Sequence, residues 1–180
     1  MKRLMMFALA MTTGLTLAGC DDDNGNGPNG PSNTGPIVFT VQLSAANEVP
    51  PIANAESGGR GTATITFNVP RDSAGNPTGG GSAVFSVQLS GFPAGSSARA
   101  AHIHPGAAGV NGPVLVDTGL TAAAPIQLSD GTGNVSLTSP DGQLTQERAA
   151  QIVANPAGFY FNVHTLVNPG GAVRGQLVRQ

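Results

Sequence analysis

From residue 37 onward, apolar and polar side chains alternate in short runs, the period that puts successive residues on opposite faces of a β-strand. Ile37, Phe39, Val41 and Leu43 alternate with Val38, Thr40, Gln42 and Ser44, which predicts a half-buried strand. Asn47-Glu48-Val49-Pro50-Pro51 ends it, because proline cannot donate to a ladder. Residues 61–69, GTATITFNV, set Ala63, Ile65, Phe67 and Val69 against Thr62, Thr64, Thr66 and Asn68. Residues 83–89, AVFSVQL, give Phe85, Val87 and Leu89 one face. Shorter apolar runs follow at 114–116 and 126–128, and GNVSL at 133–137 starts a strand after the turn Asp130-Gly131. In 159–165, FYFNVHT, Phe159, Phe161 and Val163 oppose Tyr160, Asn162 and His164, and 172–178, AVRGQLV, is the closing strand.

Residues 145–154, TQERAAQIVA, break the pattern. Thr145 is an N-cap residue, Glu147 sits where the helix dipole favours an acid, Ile152 and Val153 supply an inward edge, and Asn155-Pro156 stops the helix. The pattern as a whole predicts an all-β fold: a Greek-key-like antiparallel β-sandwich of about eight strands, with one short helix inserted before the last strands.

The first 36 residues read differently. Lys2 and Arg3 precede a mostly apolar run over 4–17, so residues 1–19 have the form of a secretory signal peptide. Leu17-Ala18-Gly19-Cys20 resembles a bacterial lipobox, in which Cys20 becomes the first mature residue and carries the lipid; the bland alternative is an ordinary signal peptide with an incidental cysteine. The apolar run is shorter than the ~20 residues a spanning helix needs. Residues 21–36, DDDNGNGPNGPSNTGP, hold no apolar side chain except proline and read as a disordered tether, with a mean span on the order of 20 Å. The expected layout is therefore a signal peptide over 1–19, a lipidated cysteine and tether over 20–36, and one folded domain over 37–180. It would be held at the bacterial cell envelope, periplasmic or surface-exposed, with the membrane reached through the N-terminal lipid.

With Cys20 the chain's one cysteine, no internal disulfide can form and the domain must rest on its core. Residues 37–180 carry six arginines, no lysine and seven acids, with no arginine cluster, which argues against nucleic-acid binding. The absence of tryptophan and the single Tyr160 argue against a sugar platform, although an envelope polysaccharide or protein partner stays open. No nucleophile elbow or paired-carboxylate motif supports an enzyme.

The chemistry-bearing residues are the three histidines. His102 and His104, one residue apart in AHIHPGAAGVNGPV, share a strand face, and His164 lies on the polar face of FYFNVHT. Three imidazoles suit copper or zinc, with Glu48 as an oxygen ligand to complete the set and Asn162 to hold a second ring nitrogen; a copper site would be open to redox chemistry. The alternative is that the histidines hydrogen-bond across strands and lock loops. Glu48 and Arg174 likewise admit two readings, a semi-buried ion pair or a ligand contact. Glycines 106–112 have no phosphate-loop spacing and read as turns.

LSAANEVPP at 43–51, AHIHPGAAGVNGPV at 101–114, FYFNVHT at 159–165 and PGGAVRGQL at 169–177, in that order, resemble the CHRD domain, named for chordin and widespread in secreted bacterial proteins. The resemblance covers essentially all of 37–180. It departs at Ala172, where the family often has an acid after the paired glycines. It implies a secreted β domain and names no ligand; in chordin these domains belong to an extracellular growth-factor antagonist. A likeness to copper-zinc superoxide dismutases covers only the His-x-His pair, the later histidine and the layout; the full set of histidines and the disulfide cysteines of that site are missing. The expectation is a lipid-anchored binding or structural module, with a three-histidine copper or zinc site as the alternative.

Overall fold

A computed structural model describes residues 35–180. The signal peptide, Cys20 and all but the last two residues of the tether lie outside the described residues.

The described chain forms β1 (Ile37–Ser44), β2 (Arg60–Asn68), β3 (Ser82–Ser90), β4 (Ser96–Pro105), β5 (Val116–Asp117), β6 (Ile126–Leu128), β7 (Gly133–Thr138), α1 (Gln146–Ala154), β8 (Phe159–Thr165), β9 (Val173–Gln176) and β10 (Val178–Arg179). One antiparallel sheet runs β5-β4-β8-β9-β1-β2-β3-β7, with β10 paired to β1 and β6 to β4. The all-β fold with one short helix is as expected. Two details differ: the short apolar runs form the small strands β5 and β6, and the closing strand is divided at Leu177 into β9 and β10.

The sheet curls so that its halves share one core. Phe85 of β3 stacks on Phe161 of β8, with centroids 5.4 Å apart, and Phe39 meets Phe67 edge-on at 5.0 Å. The apolar sets of β1, β2 and β3 are buried as the alternation requires. Full burial of each such side chain contributes roughly 1.5–3 kcal/mol. The helix is capped as its sequence requires: Thr145 Oγ1 accepts from the Arg148 N–H at 3.2 Å, and Ala149 and Ile152 face the core.

Strand β8 departs from the half-polar expectation, for every residue in it is buried. Its Phe159, Phe161 and Val163 face lies in the core. Loops cover the Tyr160, Asn162 and His164 face, and each makes a contact: Gly112 N–H with Tyr160 Oη, Glu48 with Asn162, and the Pro169 carbonyl with His164.

Candidate metal centre

The β4–β8 register places His102 opposite Asn162, His104 opposite Tyr160 and Ala100 opposite His164. All three histidines therefore share one face of two adjacent strands, and the small Ala100 leaves room for the His164 ring to lean toward His102. His102 Nδ1 lies 3.1 Å from His164 Nε2, and one ligand atom from each of the three rings falls within 4.8 Å of the others. Convergence of His102, His104 and His164, expected from strand alternation, is thus present.

The backbone holds the outer nitrogens of two of them. His104 Nδ1 is 3.1 Å from the Gly112 carbonyl and His164 Nδ1 is 3.0 Å from the Pro169 carbonyl. A carbonyl only accepts, so each Nδ1 carries the proton and each Nε2 keeps its lone pair. His104 Nε2 is buried with no hydrogen-bond partner. Carbonyl-held imidazoles with inward Nε2 lone pairs, as at His104 and His164, suit a metal ligand set; the same contacts, with the His102–His164 bond, also join the two strands and tie the 112 and 169 loops to them.

Burial lowers the pKa of all three rings, because a charged imidazolium is poorly solvated there. For His164, burial and then His102 and His104 push it down to about 4, against the Pro169 hydrogen bond. Asp117 partly opposes the shift at His102. The rings are neutral at neutral pH, the form that binds metal.

Gly112 owes its identity to packing, since a Cβ there would stand 1.7 Å from the Pro105 carbonyl oxygen. The loop thereby lies flush on the end of β4 and brings its carbonyl to His104.

Glu48, Asn162 and Arg174 assemble beside this cluster, separate from the three imidazoles. Glu48 accepts from Asn162 Nδ2 at 3.4 Å, so Asn162 serves the glutamate and supports no histidine. Glu48 is absent from the converging ligand group, so it does not complete the set. It forms no salt-bridge contact with Arg174, although the guanidinium charge acts on the carboxylate. That guanidinium donates to the Asn47 carbonyl at 2.7 Å and to Asn111 Oδ1 at 2.8 Å, and it lies 4.5 Å from the Tyr160 ring centroid. Both side chains are nonetheless buried, 6% exposed for Glu48 and 1% for Arg174. Burial raises the Glu48 pKa to about 7, against the lowering effects of Arg174 and Asn162. Clefts of about 520 and 380 Å³ flank Glu48, and no histidine lines either one.

Sequence reasoning passed over Asp117 and Glu56. Asp117 is paired in register with His102. Glu56, 1% exposed, accepts from Thr165 Oγ1 and Asn168 Nδ2, both at 2.5 Å, and so pins the loop that carries the Pro169 carbonyl. Only an acid following the apolar run 114–116 marked Asp117 in the sequence; nothing marked Glu56.

The CHRD domain family model matches residues 39–177. The chain belongs to the CHRD domain family. Comparison with curated proteins and with solved structures found no match. In this CHRD domain the histidine cluster draws on two of the motifs that carried the resemblance, and the PGG motif supplies the Pro169 carbonyl.

Proposed function

We propose that this CHRD domain binds one transition-metal ion, copper or zinc, through His102, His104 and His164. The observation that carries the reading is the buried His104 Nε2, unpartnered within a cluster whose other members converge on it. Affinity for nitrogen ligands rises toward Cu(II) along the divalent series, so copper is the stronger binder where both are offered. The residues would hold the ion and keep it half-shielded from water; a bound copper ion would supply one-electron chemistry.

The test is metal content of the protein after loading with copper or zinc and desalting. About one equivalent is expected, and it should be lost in the triple histidine-to-alanine variant. Full uptake by His164→Ala would sink the three-histidine site.

The same proposal places the domain at the bacterial envelope on a lipid at Cys20, supported by the charged start, the apolar run and Leu17-Ala18-Gly19-Cys20. Among the described residues no helix is long and apolar enough to cross a membrane. Labelling with a fatty-acid analogue should mark the wild type and leave Cys20→Ser unmarked; label on Cys20→Ser refutes the anchor.

A second reading, a partner-binding module, is favoured by exposed Val49, Val110, Val114, Leu166 and Val167 on loops at the site. Segments 49–55, 106–116 and 166–172 contain no charged residue. Such a surface suits an envelope protein. A photo-crosslinker at Val110 should give one discrete adduct in cells, lost on Leu166→Asp; no adduct counts against it.

A further inference from the structure

His102 stands between two groups that require its proton on opposite nitrogens. Nδ1 is 3.1 Å from His164 Nε2, and Nε2 is 3.9 Å from Asp117 Oδ2. Because His164 gives its own Nδ1 proton to the Pro169 carbonyl, its Nε2 can only accept. In the metal-free site His102 therefore carries its proton on Nδ1 and donates it to His164. Its Nε2 lone pair then faces a carboxylate at a distance too long for a hydrogen bond. A metal ion needs the His102 Nδ1 lone pair, because Nδ1 is the atom that faces the cluster.

Asp117 is aimed for the other state. Its Oδ1 accepts from the Gly119 N–H at 2.7 Å, its own N–H donates to Gln143 Oε1 at 3.2 Å, and its backbone is in register with His102. These contacts leave Oδ2 directed at Nε2.

We propose that Asp117 is a positioning residue for the metal centre: metal entry moves the His102 proton from Nδ1 to Nε2, exchanging the hydrogen bond to His164 for one to Asp117. The inference rests on the metal-binding reading. No proton is gained or lost overall; one leaves Nδ1 and one arrives at Nε2 through solvent, which reaches the half-buried ring. The Asp117 hydrogen bond then raises the basicity of the ligating nitrogen.

The test uses the full chain with ¹⁵N-labelled histidine, titrated with diamagnetic Zn(II). His102 should show a protonated Nδ1 before zinc and a protonated Nε2 after it. In Asp117→Asn, Oδ1 stays committed to Gly119, so the amide nitrogen replaces Oδ2 and donates to His102 Nε2, holding the metal-free tautomer. Zinc affinity should fall about 10–100-fold, with the metal-free fold unchanged by melting temperature. Asp117→Ala, which lacks that donor, should lose less affinity than Asp117→Asn. Histidine shifts that report bound zinc while His102 keeps its Nδ1 proton, or wild-type affinity in Asp117→Asn, would overturn the proposal and leave the metal site standing. No zinc response from any histidine would overturn both.

Discussion

The His104 ring lies parallel to the Tyr160 ring, with centroids 4.9 Å apart and 7° between the planes. Tyr160 is the chain's single tyrosine and there is no tryptophan, so its emission reports on the neighbourhood of His104 alone. Stoichiometric Cu(II) should quench the emission strongly, whereas Zn(II), which has a filled d shell, should leave most of it. The triple histidine variant should stay bright with copper. Equal quenching of that variant would mean that copper acts from elsewhere.

The backbone of Gly112 joins the same two rings, its carbonyl accepting from His104 Nδ1 and its N–H donating to Tyr160 Oη at 3.2 Å. Gly112→Ala would drive a Cβ into the Pro105 carbonyl, so the loop must lift and both bonds are lost. The expected cost is about 1–3 kcal/mol, the range for stranding a buried polar group, together with weaker metal uptake. Denaturant unfolding and metal content check the pair; unchanged values for both would show that the loop does not hold the ring.

Strand alternation carried much of this in the sequence. The period-two runs at 37–44, 61–69 and 83–89 identify β1, β2 and β3 and their buried faces, and the same period puts His102 and His104 on one face. The burial of β8 on both faces was not legible, because its polar side is closed over by the distant loops at Glu48 and Gly112 together with the turn at Pro169 that follows the strand. The carbonyls of Gly112 and Pro169 leave no trace in side-chain identity at all. Glu48 and Arg174 admit an ion pair or a ligand contact by sequence, whereas in the fold the guanidinium bonds to Asn47 and Asn111 and reaches Glu48 only through its charge, a choice set by loop geometry. Cys20 and the leader pattern lie outside the described residues.

Glu56 tests how far the site depends on its loop. Thr165 Oγ1 and Asn168 Nδ2 both donate to Glu56 Oε2, and Asn168 N–H donates to Thr165 Oγ1 at 3.0 Å. Glu56→Ala strands the buried Thr165 hydroxyl and takes one acceptor from the half-buried Asn168 amide, so it should lower stability by about 1–3 kcal/mol and weaken metal retention. Glu56→Gln keeps an acceptor of the same length and should recover most of both. Equal losses in the two variants would show that charge, not the hydrogen bonds, holds the loop.

Acid should act on the metal-free protein through two opposed sets of groups. The histidine pKa values are lowered by folding, so their stabilisation is complete above the unfolded value of 6.5 and is lost as pH falls, for His164 down to about 4. That span corresponds to at most about 3 kcal/mol for His164. Glu48 is raised from 4.5 to about 7, so its contribution is complete below 4.5 and is lost as pH rises through 7. Between about pH 4.5 and 6.5 the two oppose each other, and the wild type should show only a shallow loss of stability on acidification. Glu48→Gln removes the opposing gain, so its stability should fall more steeply below pH 6.5 and exceed that of the wild type above pH 7. Urea unfolding of both proteins from pH 4 to 8 reads the difference. Parallel curves would mean that Glu48 does not titrate in its buried position.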